Sequence, residues 1–170
     1  MKMPSLSIAF LSLCSLLLVP ISVHAADVSM KDKTFFMKAS QGGMTEVEAG
    51  KLAQEKGASQ DVKDFGAMMV KDHTQNDEDL MALAQTKGVT IPTTLDKMHQ
   101  GMIDSLNSKS GAAFDKAYID DMVNGHTKML KLMKGEEMSK DADMKDFATK
   151  TSDTVQMHLS KAEGIQKSMK

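Results

Sequence analysis

Four residues able to hold a proton or a metal ion stand alone within apolar helical stripes: Glu46, His73, His126 and His158. Buried singly, a carboxylate or imidazole would lose its hydration with nothing in return, a cost of several kcal/mol for an ion. Brought together, the four can satisfy one another, and two chemistries are then open. One is a hydrogen-bonded network that fixes a single packing arrangement, with Glu46 paired to His73. The other is a single-metal site of Glu46, His73, His126 and His158, whose imidazole and carboxylate ligands suit zinc, copper or iron.

These residues need helices to position them, and the punctuation supplies helices. The first is expected from Asp32, as N-cap, to Lys56 before Gly57. The second runs from Ser59, another N-cap, to about Lys87 before Gly88. A long connection, Val89 to Ser110, holds Ile91-Pro92 and a shorter helical piece around Leu95 to Leu106. The third long helix is expected from Gly111 to Lys134, breaking at Gly135, and the last from near Asp141 almost to the C-terminus. At about 100° per residue, Glu46 falls among Phe35, Ala39, Gly43, Gly50 and Ala53, and His73 among Val62, Phe65, Met69 and Leu80. His126 falls among Tyr118, Met122, Met129 and Met133, and His158 among Phe147, Val155, Leu159 and Ala162. Glu48 points the other way.

Height along the helices then selects a topology. If the first two helices form one hairpin, the last two another, and the connection crosses the bundle, all four residues lie roughly 16–22 Å from one end. A plain up-down-up-down path spreads them further. The expected fold is therefore an all-α four-helix bundle with a long crossover between its second and third long helices, containing a short extra helix.

Residues 1–25 read as a signal peptide. Lys2 is followed by an apolar run from Ile8 to Val19, and Val23-His24-Ala25 offers small residues for cleavage between Ala25 and Ala26. Leu13 precedes Cys14, where a lipobox needs Gly or Ala. The remaining chain, 26–170, is expected to be one exported, periplasmic domain. The one Cys of the sequence lies in the leader, so neither disulfides nor thiolate ligands are available to the domain. All 21 basic residues are Lys and none is Arg, against 23 acidic residues mixed among them, so nucleic acid is not an expected partner. After cleavage no apolar segment is long enough to span a membrane, and the sequence leaves the oligomeric state open.

The stretches KASQGGMTEVEAGKLAQEKGAS, VKDFGAMMVKDHTQNDEDL, FDKAYIDDMVNGHTKML and HLSKAEGI resemble the domain-of-unknown-function 4142 family. That resemblance implies an exported bacterial protein with a ferritin-like helical bundle, and no activity. Ferritin-like di-iron sites need a Glu-x-x-His pair on two helices. The positions three before His73, His126 and His158 are Val70, Val123 and Val155, so di-iron chemistry is not expected.

Two further signals are weighed. Met69 lies a turn before His73, Met122 and Met129 flank His126, and Met98, His99 and Met102 cluster in the connection. Thioether with imidazole suits cuprous copper, although methionine at helical spacing also serves as adaptable core filler. Gly43, Gly50, Gly66 and Gly125 stand on inner faces, where close helix approach is the favoured reason. No nucleophile motif or phosphate-binding loop is present, and no residue is given a catalytic role. The sequence thus points to a non-catalytic binding or stress-related accessory protein with a buried Glu/His layer. The alternative is a metal-binding protein using Glu46 and the three histidines.

Overall fold

Small polar side chains open four of the five helices by accepting hydrogen bonds from backbone N–H groups that the first turn leaves unpaired. In the computed structural model, which describes residues 28–169, these are α1 (Met30–Lys56), α2 (Gln60–Thr86), α3 (Lys97–Asn107), α4 (Gly111–Glu136) and α5 (Ala142–Ser168). Ser59, Asp96 and Asp141 cap α2, α3 and α5. The cap of α1 is Ser29 rather than Asp32. Asp32 is its reciprocal partner, receiving the Ser29 N–H while Ser29 Oγ receives the Asp32 N–H. Lys87 follows α2, and Gly88, at φ 67°, turns the chain away. Gly135 does not end α4, which continues to Glu136. A single exposed glycine costs only about 1 kcal/mol, and the Glu136 carboxylate is anchored 3.0 Å from Lys31 Nζ. No strand occurs among the described residues, and none of their helices is long and apolar enough to cross a membrane. The expected signal peptide, residues 1–25, lies outside the described residues.

The helices pair as two antiparallel hairpins, α1 with α2 and α4 with α5, and each hairpin lays both helices against the other. Lys31 at the start of α1 meets Glu136 at the end of α4. At the opposite end, the Asp115 carboxylate of α4 accepts the N–H groups of Ala58 and Ser59, both at 2.8 Å, in the α1–α2 turn. Thr151 of α5 donates to Asn76 of α2, and Lys87 after α2 bridges to Asp141 and Asp143 at the start of α5. All of these neighbours are antiparallel, so the α2–α4 connection travels the length of the bundle, as the height argument requires. Gln41 of α1 straps it down, donating to Thr94 O and accepting from Asp96 N. α3 then continues the crossover along α1 and α4, with Asn107 at its end accepting from Lys56 at the end of α1.

Two apolar clusters fill the interior. One gathers Ala53, Phe65, Met69, Phe114, Tyr118, Ile119 and Ile165; the other gathers Phe35, Phe36, Leu80, Met133, Met144 and Ala148. Between them, by position along every long helix, lie the four polar residues.

Candidate metal centre

Each of the four helices turns one polar side chain inward at this level. Glu46, His73, His126 and His158 are all buried. The three imidazole rings form a triangle, with centroids 5.5 Å apart for His73 and His126, 5.2 Å for His73 and His158, and 5.4 Å for His126 and His158. One nitrogen from each lies within 4.8 Å of the other two.

Hydrogen bonds behind two of the rings set their tautomers. His126 Nδ1 is 2.9 Å from the Met122 carbonyl, which can only accept, so Nδ1 carries the proton and Nε2 is bare. His158 Nε2 donates to Asp72 Oδ2 at 3.0 Å, leaving Nδ1 bare. Those two bare nitrogens face each other at 3.4 Å. His73 Nε2 is buried and has no hydrogen-bond partner.

Glu46 packs against this group through the Nδ1 atoms of two of its rings. Its Oε2 lies 3.1 Å from His73 Nδ1 and its Oε1 3.3 Å from His126 Nδ1. It therefore stands behind two of the rings, on the nitrogens turned away from the shared centre. The Oε2 contact is close but off the N–H axis, so that oxygen remains without a hydrogen bond.

Burial decides the charges. It pushes the Glu46 carboxyl up to about 8, with nearby Asp77 adding to the effect, and pushes Asp77 up to about 7. It holds His126 down at about 4, His158 helping, and lowers His73 and His158 as well. Near neutral pH, burial thus favours the uncharged form of the three imidazoles and of the Glu46 carboxyl in the metal-free layer.

Two of the inner glycines, Gly50 and Gly66, serve close packing. A Cβ on Gly66 would come within 2.8 Å of the Gly50 carbonyl oxygen, and one on Gly50 within 2.8 Å of the Gly66 carbonyl oxygen. Gly43 makes room for a side chain instead, since its Cβ would collide with the Asp77 carboxyl. Asp77 is the member of the layer that the sequence reading missed. It lies one turn after His73, hence on the same face, and that spacing was the available signal. Asp72 of α2 is the partner of His158. Glu48 is on the surface with Lys51, and Tyr118 is fully buried in the core, both as expected.

A sequence profile of a family described as a domain of unknown function, DUF4142, matches residues 19–165. The chain belongs to the DUF4142 family. A crystal structure of a DUF305 fragment from Deinococcus radiodurans is similar to this DUF4142 chain with a TM-score of 0.72 at 10% identity. It covers 81% of this chain and 96% of that one. At that identity the likeness is one of fold, and it agrees with the all-α bundle. No curated protein matches the sequence.

Proposed function

We propose that this DUF4142 protein is an exported, periplasmic, non-catalytic binding protein that holds one transition-metal ion between His73, His126 and His158. The observation that carries the reading is the pair of bare nitrogens 3.4 Å apart, His126 Nε2 and His158 Nδ1, beside the unpartnered His73 Nε2. Neutral His126 and His158 with those tautomers cannot hydrogen-bond to each other, and with Nε2 of His73 as its lone-pair nitrogen three lone pairs would surround one point and call for a cation. Nitrogens 2.0–2.1 Å from a tetrahedral zinc ion are about 3.3 Å apart. Asp72 stands as an outer partner that orients His158, an arrangement common behind metal-bound imidazoles, and Glu46 lies against the other two rings. Ionised, the two carboxylates would balance a dication. An all-imidazole set suits zinc or cupric copper better than a hard ion.

The competing reading is a metal-free lock. Its specific support is the raised Glu46 carboxyl, which would donate to His73 Nδ1 and let His73 Nε2–H point between the two bare nitrogens. Protein purified from its own compartment without a nickel column decides between them. Stoichiometric metal by elemental analysis, a thermal shift with zinc and tetrahedral visible bands with cobalt support the centre. Each should be lost in His126→Ala. If wild type carries no metal and gives no thermal shift with zinc or copper, the lock stands and the metal centre falls.

A further inference from the structure

A second place in the molecule gathers metal-binding atoms of another kind. A groove of about 1300 Å³ opens between α1, α3 and α4, and thioethers from all three helices line it. Met30 comes from α1, Met98 and Met102 from α3, and Met122 and Met129 from α4, with His99 among them. On α3, Met98, Met102 and Leu106 follow one another at single-turn spacing. Their exposure falls from 65% through 42% to 3%, so the apolar stripe of α3 opens to solvent toward its N-terminal end. Filler methionines sit inside a core; here two thioethers of one stripe are left open to solvent.

The imidazole beside them is held in a fixed tautomer. Asp96, which caps α3 by accepting the His99 N–H at 2.9 Å, also takes His99 Nδ1 at 2.8 Å. The bare nitrogen is therefore Nε2, and an imidazole with a carboxylate behind it is a common ligand arrangement. Charge at the rim selects the ion. Lys31, Lys38, Lys128 and Lys131 border the groove against Asp121, Glu136 and the buried Glu46, and Glu136 is already bound by Lys31. Neutral thioether ligands under a basic rim penalise a dication more than a monocation. Soft donors of this type take cuprous rather than hard ions.

We infer that the groove is a binding site for a soft monovalent metal ion, cuprous copper, held by the Met98 and Met102 thioethers and His99 Nε2 and faced by Met129 of α4. It shares Glu46 and Met122 with the surroundings of the histidine centre, but does not rest on that centre binding metal.

Silver, a redox-inert monovalent probe, tests it on the folded domain labelled at methionine methyl groups. One equivalent is expected to shift the methyl resonances of Met98, Met102 and Met129. Met81, Met138 and Met157, exposed outside the groove, should stay in place. Anaerobic competition with a cuprous chelator should show affinity reduced at least tenfold in Met98→Leu/His99→Gln/Met102→Leu, with the thermal melt unchanged. The variant His73→Ala/His126→Ala/His158→Ala should keep the groove shifts even if it loses zinc or cobalt. Equal shifts at every exposed methionine would overturn the proposal. So would silver binding that survives the α3 variant, or that disappears only with the three histidines.

Discussion

A carboxyl group without water around it keeps its proton into the neutral range, and Glu46 does so beside three imidazoles that have given theirs up. In the unfolded chain Glu46 ionises near 4.5, but in the fold only near 8. Its contribution to stability is complete below pH 4.5 and is lost as pH climbs toward 8. Asp77 acts in the same direction up to about 7. The histidines act oppositely: with lowered pKa values in the fold, their contribution is present above 6.5 and lost as pH falls, for His126 toward about 4. Metal-free protein should therefore be most stable near pH 6.5. Glu46→Gln should remove a decline of about 1.4 kcal/mol per pH unit between pH 6.5 and 8. Urea melts across that range measure it, and parallel curves for the two proteins would show that Glu46 is already ionised. At this scale the sequence made the four inward residues readable, because one polar residue in an apolar stripe stands out. It did not show Asp77, since an aspartate near a stripe reads as surface until a glycine opposite makes room for it. Nor could it place Glu46 behind the rings, because which atom of a side chain faces the centre depends on rotamers.

Among the helices, close approach of α1 and α2 is written in Gly50 and Gly66, whose absent side chains let each backbone near the other. Gly66→Ala should destabilise by about 1–3 kcal/mol through overpacking, despite alanine's better helix propensity. Gly164→Ala, where a Cβ meets nothing within 4 Å, should stabilise by up to about 1 kcal/mol. Denaturant titration of the two variants gives opposite signs if helix proximity is the reason for Gly66. Asp115 is the other element-scale test. Asp115→Ala strips the α1–α2 turn of two charge-assisted bonds and should cost about 3 kcal/mol in the same measurement. Helix number and order were legible from caps and glycines, whereas the ends were less so. Ser29 competes with Asp32 for the cap of α1 because both residues take part in it. Gly135 is tolerated because Glu136 beyond it is tied down by Lys31.

At the scale of the whole molecule, the crossover makes the polar layer a joint property of both hairpins. α1 and α2 bring Glu46 and His73; α4 and α5 bring His126 and His158. The length of the connection and the heights of four residues were enough to read that topology, because rise per residue is nearly constant in helices. The groove beside α3 was not readable, since nothing in the sequence tells how much of a short helix its neighbours cover. If an ion fills the centre, metal at about a thousand times its dissociation constant should raise unfolding free energy by about 4 kcal/mol. His158→Ala should abolish that increment.

The division of the rings between hairpins carries a kinetic consequence. Neither hairpin alone offers three imidazoles, so an ion can be gripped only once the two have docked. Zinc should then leave the refolding limb of the chevron in place and slow the unfolding limb. Occupancy would be felt as residence time in the native state, a latch that acts after folding is over.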